Sequence, residues 1–284
     1  MTHTDRAPHP APAFEVVDGF RCYAPDRALE ETDYPKSGFD VSRQVEDASF
    51  WCRSRNRLIG SLVTRYIGAD RPARMLELGC GIGGVLAELT THPNLSLTGS
   101  EIYLHGLRYA RARFPGVEFI QLDATTMGFR DEFDVIGAFD VLEHIDADQV
   151  AMARVHDALR AGGLFLITVP QYPSMWSRLD ELVHHKRRYT RFELTSKLAR
   201  SGFEVLFATS FVCALFPFML AARLRPRRRR QQDEAKAFQS EVQLPGPLNA
   251  IFDRVMRIDE AAVRAGWSLP FGGTLAAVAR KARR

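Results

Sequence analysis

Eight residues constrain this chain more than any other feature: Glu77-Leu78-Gly79-Cys80-Gly81-Ile82-Gly83-Gly84, at the end of the apolar segment RMLELG. A helix is read directly after them, over Gly83 to Leu89. Glycines at a strand-to-helix turn permit a tight bend and let backbone approach a ligand closely. The helix start adds free N–H groups. Gly79, Gly81 and Gly84 also satisfy the GxGxxG spacing of dinucleotide-binding domains, so the run alone leaves the cofactor open.

The rest of the chain repeats the strand–helix unit. LSLTGSE, VEFIQLDA, FDVIGAFD, LFLITVP, FEVLFA and TLAAVAR read as further strands. Between them, YLHGLRYARARF places Leu104, Leu107 and Phe114 on one helical face. A second helix is expected from about Asp148 to Arg160, stopping at Gly162-Gly163. A third starts at Thr190, which with Glu193 forms a capping box, and ends at Gly202. Tyr189 and Leu194 occupy its hydrophobic-staple positions. Such alternation implies an α/β fold with a parallel sheet and helices on both faces. The expected sheet has seven strands, with a helical insertion between strands six and seven. Residues 1–40 read as a mobile tail and 41–70 as a helical cap. Residues 71–209 and 269–284 form the core, and 210–268 a helical insertion capping the acceptor site.

Composition narrows the setting. Four cysteines among 284 residues lie far apart with no CxxC pair, which argues against a disulfide scaffold or zinc ribbon and fits a reducing cytoplasm. The net charge of +4 is local, because Arg223, Arg225 and Arg227–Arg230 supply six positive charges, without which the remainder carries −2. A nucleic-acid partner is therefore disfavoured. The N-terminal MTHTDRAPHPAPAF lacks the apolar run of a secretory signal. Val205–Ala222 carries no charge, but its first part completes a strand and Pro217 interrupts the rest. A short interfacial helix within 211–230, its arginines on anionic headgroups, stands beside a helix packed on the core. The expected location is cytoplasmic, with membrane-peripheral contact through 211–230 as the variant.

Two acidic residues help choose the cofactor. Glu101 ends the second strand about 20 residues after the glycine run, where a carboxylate can accept from ribose hydroxyls. Asp123-Ala124 ends the third, placed to meet the exocyclic amine of an adenine. A dinucleotide reading gives Asp123 no particular job. ELGCGIGG, SEIY, LDA, FDVIGAFDVLEHI and LRAGGLFLITVP, in this order and spacing, resemble the class I S-adenosylmethionine-dependent methyltransferases. The resemblance covers about Phe50 to Ala208 plus the last strand. It implies a Rossmann-like fold with the last strand antiparallel, S-adenosylmethionine as cofactor and S-adenosylhomocysteine as product. It further implies that Gly79, Cys80 and Gly81 line the methionine part and that Glu77 holds the amino group. Glu101 would bind the ribose, Ile102 would pack on the adenine, and Asp123 with Ala124 would read its edge. Asp140 and Val141 would lie beside the reacting methyl. VLEHI resembles the small-molecule methyltransferases of ubiquinone biosynthesis, not the DNA amino-methyltransferases. The expected reaction is methyl transfer to an oxygen or nitrogen of a small-molecule acceptor, apolar or lipid-linked.

The acceptor side rests on residue chemistry. His144 is the general-base candidate because an imidazole titrates near neutrality; otherwise it supports the following helix. The stretch PQYPSMWSRLDELVHHKRRYT offers Tyr172, Trp176, His185 and Arg188, aromatics and cations suited to an aromatic or anionic acceptor. Alternatively Asp180 pairs with an arginine and Tyr189 only staples the next helix. Phe50 and Trp51 form a lid or pack in the core. No metal cluster is read, since His184-His185 lacks a carboxylate or cysteine set at ligand spacing. An NAD-type oxidoreductase, and a non-catalytic S-adenosylmethionine-binding module at a membrane surface, are the competing functions.

Overall fold

A computed structural model describes residues 12–29, 38, 39, 43, 46, 48–223 and 244–282. Nine strands form one sheet: β1 (Glu15–Val17), β2 (Phe20–Cys22), β3 (Ala73–Leu78), β4 (Leu95–Glu101), β5 (Glu118–Gln121), β6 (Phe133–Phe139), β7 (Leu159–Pro170), β8 (Phe203–Phe211) and β9 (Thr274–Lys281). Their order is β1-β2-β5-β4-β3-β6-β7-β9-β8. From β2 to β7 every neighbouring pair is parallel. β9 slots between β7 and β8, antiparallel to both.

Side chains alternate between two cores, as the two-residue period of a strand requires. Met75, Phe119, Val135, Phe139, Leu166, Ala276 and Val278 face one layer, built from α1 (Phe50–Tyr66), α2 (Leu86–Leu89), α3 (Leu104–Arg113) and α8 (Gly246–Arg264). Leu76, Leu78, Ile120, Ile136, Phe165, Ile167, Leu275 and Ala277 face the other, with α4 (Asp148–Ala158) and α6 (Arg191–Arg200). Two further short helices are α5 (Arg178–Leu182) and α7 (Phe216–Arg223).

The sheet has two strands more than the sequence reading expects. Both lie within the stretch read as a mobile tail. Asp18 (φ 52°) and Gly19 (φ 74°) make the two-residue hairpin turn that joins β1 to β2, as Asp-Gly pairs favour. Arg21 and Cys22 then pair with Ile120 and Gln121 and extend the sheet at β5. Strands of three residues are too short to show a period, which is why the sequence hides them. Helix α1 spans Phe50–Tyr66, and most of residues 41–47, where the helical cap is expected to begin, lies outside the described residues. The Gly162-Gly163 pair does not end α4; both glycines lie inside β7, where a side chain on Gly163 would meet Asp134 O of β6 at 3.1 Å. Thr190 does cap α6, accepting from Glu193 N–H at 3.1 Å.

The insertion docks on α1. Arg57 pairs with Glu260 at 2.6 Å and Asp253 at 3.0 Å, and Ser54 Oγ donates to Glu260 at 2.7 Å. Buried Asp259 accepts from the backbone N–H groups of Cys213 (2.5 Å) and Ala214 (3.1 Å), tying α8 to the end of β8. Among the described residues no helix is long and apolar enough to cross a membrane. Arg225 and Arg227–Arg230 lie outside the described residues, as does most of the segment read as a lipid contact beyond α7. Asp259→Ala removes two charge-assisted bonds and is expected to lower the unfolding free energy by about 2 kcal/mol, read from the midpoint of urea denaturation.

Candidate cofactor and acceptor site

The parallel strands bring their carboxyl ends to one edge, and the order reverses direction between β3 and β6. Open α/β sheets bind ligands in the crevice at such a point. Here the turns after β3, β4, β5 and β6 present Glu77–Gly84, Glu101–Ile102, Asp123–Ala124 and Asp140–His144 side by side. Gly79 (φ 61°), Gly81 (φ 54°) and Gly83 (φ 86°) adopt left-handed conformations that side-chain-bearing residues avoid. A Cβ on Gly79 would lie 2.6 Å from Val141 Cγ2, so the two turns touch only because that residue is glycine.

Three carboxylates line this edge in different states. Glu101 accepts from Gly81 N–H (3.1 Å) and Ile102 N–H (2.8 Å), which fixes its orientation against the glycine turn. Burial pushes its carboxyl up, and these bonds partly offset that. Asp123 accepts from Thr125 N–H (2.8 Å) and Thr125 Oγ1 (2.6 Å), and Arg27 approaches it at 3.5 Å. Glu77 is 2% exposed, and its Oε2 has no hydrogen-bond partner among the described residues. Burial pushes its carboxyl up to about 8, against the pull of Arg55.

Helix α1 closes the crevice from above. Arg55 Nη1 donates to Asp140 Oδ2 at 2.8 Å, and the Arg55 guanidinium lies 4.8 Å from the Trp51 ring centre. Burial works against the Arg55 charge, but Asp140 outweighs it and the guanidinium stays firmly protonated. Asn56 Nδ2 donates to Gly84 O at 2.7 Å. Asp140 itself has a left-handed backbone (φ 58°), held by its N–H to Thr168 O at 2.9 Å. Of the two aromatic residues at the start of α1, Phe50 packs on Phe252 of the insertion (5.3 Å between ring centres), while Trp51 packs against the Arg55 guanidinium.

Beyond Asp140 lies a second cluster. Glu143 is fully buried, and neither carboxylate oxygen has a hydrogen-bond partner among the described residues. His185 Nε2 stands 3.8 Å from Glu143 Oε1, and the His144 and His185 rings meet edge-on at 4.6 Å. Donor atoms of Glu143, His144 and His185 all lie within 4.8 Å of one another. The fold brings together two loops whose Glu143 and His185 are 42 residues apart, a juxtaposition that the spacing along the chain does not show. His144 does not titrate near neutrality as its type suggests. Burial first, then His185, His184 and Lys186, push it down to about 3, so it is a neutral imidazole at pH 7.

The loop after β7 divides into framework and surface. Arg188, read as an acceptor contact, is 8% exposed and donates to both oxygens of Asp180 (2.8 and 2.9 Å) and to Gln171 O (3.2 Å). Its guanidinium is therefore committed to the protein. Asp180 also accepts from Ser177 and from His185 Nδ1 at 2.8 Å. Burial opposes the Asp180 charge, but His185 and Arg188 hold its carboxyl well below the usual range. Tyr189 is buried and donates to Asp148 at 2.7 Å. Tyr172 (φ 63°) stacks near Phe216 of the insertion at 5.8 Å, and Phe216 near Phe271 at 5.7 Å. Trp176 is 39% exposed. Sequence reasoning missed Arg27, Arg55, Phe216 and Phe271, none of which lies in a motif. The unusual density of arginine on α1 was the one available signal for Arg55.

Known proteins agree in kind with this geometry. A family model described as a methyltransferase domain matches residues 49–207. A probable S-adenosylmethionine-dependent methyltransferase of Mycolicibacterium smegmatis is 28% identical over 184 residues, spanning 64% of this chain and 69% of that protein. An O-methyltransferase of Aspergillus nomiae is 27% identical over 161 residues, spanning 51% of this chain and 72% of its own. A solved structure of Haemonchus contortus phosphoethanolamine N-methyltransferase 2, in complex with phosphomonomethylethanolamine and S-adenosylhomocysteine, has the same fold. Its TM-score is 0.57 at 17% identity, over 89% of this chain and 59% of that one.

Glu77 sets a pH dependence. Its carboxyl titrates near 8 in the folded, ligand-free protein against an ordinary value of 4.5. Between these values the folded state holds a proton that the unfolded chain has lost, so stability falls as pH rises through that window. Glu77→Gln removes this loss. Urea denaturation from pH 5 to 8.5 is expected to show the variant gaining on the wild type by up to about 1.4 kcal/mol per pH unit.

Proposed function

The chain belongs to the methyltransferase-domain family, and from that premise we propose that it methylates an oxygen or nitrogen of a small, apolar or lipid-linked molecule in the crevice above β3 and β6. Its cofactor is S-adenosylmethionine, which supplies a sulfonium-activated methyl group and leaves as S-adenosylhomocysteine. The observation that carries the residue assignment is buried Glu77, two residues before Gly79, whose Oε2 has no hydrogen-bond partner among the described residues. A buried carboxylate needs a cationic partner, and the amino group of the cofactor is one. A nicotinamide dinucleotide offers no ammonium for Glu77 and gives Asp123 no work, so the oxidoreductase alternative explains less.

The remaining roles follow by position. The Gly79–Cys80–Gly81 backbone lines the methionine portion. Glu101, braced by Gly81 and Ile102, accepts from the ribose hydroxyls, and Ile102 packs on the adenine. Asp123 and Ala124 read the adenine edge. Asp140 and Val141 border the transferred methyl, while Trp51 and Arg55 exclude water above it. His144, neutral and too weakly basic to take a proton at pH 7, borders the acceptor, so orientation supplies most of the rate. Tyr172, Phe216 and Phe271 form an aromatic wall for the acceptor, with Trp176 and His185 at its margin and α7 and α8 as its cap. The printed activities of relatives include demethylmenaquinone and trans-aconitate methylation, which supports a small-molecule acceptor without choosing one.

Calorimetry tests the cofactor assignment. S-adenosylhomocysteine is expected to bind and NAD not to. Glu101→Ala and Asp123→Ala should each weaken binding at least about tenfold, the loss of a charge-assisted contact. Binding of NAD in place of the homocysteine product would overturn it. Membrane-peripheral contact is a separate element. Phe218 and Leu220 of α7 and Ile251 and Ile258 of α8 are exposed apolar residues, suited to an interface beside the arginine run. Cosedimentation with phosphatidylserine vesicles should fall in Phe218→Ser/Leu220→Ser and at high salt. Equal recovery with neutral and anionic vesicles would sink it.

A further inference from the structure

The Glu143–His144–His185 cluster has a feature that proton chemistry alone does not explain. Both oxygens of Asp180 accept from Arg188, and one also accepts from Ser177, so at 2.8 Å His185 Nδ1 is the donor to this carboxylate. In a neutral imidazole that leaves His185 Nε2 as a lone pair, and it faces Glu143 Oε1 at 3.8 Å. Two acceptors in a buried site repel unless a cation lies between them. Among the described residues neither Glu143 carboxylate oxygen has a hydrogen-bond partner to offset its burial. A proton would join two of these groups; three groups converge.

We propose that Glu143, His144 and His185 form a binding site for one divalent transition ion of the zinc class, at the acceptor end of the crevice. Two imidazoles and one carboxylate suit Zn²⁺ and its neighbours and leave positions open for a further ligand. Ligand bonds of about 2.0–2.2 Å place donor pairs about 3.3 Å apart, so donors now within 4.8 Å need only side-chain rotation to close. Asp180 supplies the outer partner such a site requires, a carboxylate fixing the histidine ring from behind. Asp180 is itself held by both branches of Arg188. This explains why the loop after β7 spends an arginine and an aspartate on one histidine.

The role of the ion rests on the methyltransferase reading; its binding does not. Adjacent to Asp140 and Val141, it takes the hydroxyl oxygen of the acceptor and raises the acidity of that group. The acceptor O–H then gives its proton to water, the oxygen forms the bond to the methyl carbon, and the electrons of the broken S–C bond stay on sulfur. An oxygen acceptor is therefore favoured over nitrogen.

Protein stripped with a chelator and desalted is titrated with Zn²⁺ by calorimetry, and with Co²⁺ followed by visible absorption. One site tighter than about 10 µM is expected, weakened about 100-fold or more in Glu143→Gln and His185→Ala. S-adenosylhomocysteine affinity in the same variants should stay within about twofold of wild type, which separates loss of ligands from loss of fold. Absence of a stoichiometric site in the wild type, or equal Zn²⁺ affinity in both variants, overturns the proposal while leaving the cofactor assignment standing. Zn²⁺ binding without S-adenosylhomocysteine binding supports the site and overturns the reading of its role.

Discussion

The contact between Gly79 and Val141 is the constraint on which the site depends. The missing Cβ lets Val141 Cγ2 stand 2.6 Å from where that atom would be. It brings the turn after β3 against the turn after β6. Glu77 is thereby set on one side of the crevice, and Asp140, Glu143 and His144 on the other. Neighbouring parallel strands define the distance between the two turns, and only glycine satisfies both the left-handed backbone and the close approach. The left-handed Asp140 is part of the same arrangement. Its strain is balanced by the Thr168 carbonyl and the Arg55 ion pair.

Buried charge divides the molecule into framework and working parts. Asp180 and Asp148 are surrounded by donors: Arg188, His185 and Ser177 for the first, Lys197, Arg187 and Tyr189 for the second. Such groups hold loops in place, and removing a partner is costly because the remaining charge stays buried. Glu77 and Glu143 are as deeply buried yet keep carboxylate oxygens without a hydrogen-bond partner among the described residues. An unsatisfied buried carboxylate costs stability, and both occur at the crevice.

The insertion has a structural job. By docking α8 on α1 through Arg57, Glu260 and Ser54, it fixes the helix that carries Trp51 and Arg55. Phe216 reaches Tyr172 from the same unit, so the insertion also touches the loop after β7.

The sequence by itself determined the strand–helix alternation, the seven principal strands, and the carboxylates that end three of them. These are local properties: strand period, helix caps and glycine turns are written in neighbouring residues, and a parallel sheet then sends Glu77, Glu101 and Asp123 to one edge. The β1–β2 pair escaped because three residues carry no period. Tertiary structure decided the rest. Arg188 reads from sequence as an acceptor contact, but its depth beneath the loop makes Asp180 its partner. His144 reads as a neutral-range base, but burial and neighbouring cations lower it. Arg55 and Asp140 are 85 residues apart, and Glu143 and His185 are 42 apart; spacing along the chain says nothing of such pairs. They meet because desolvation and packing act between surfaces, and which surfaces face each other is settled only when the helices close on the sheet.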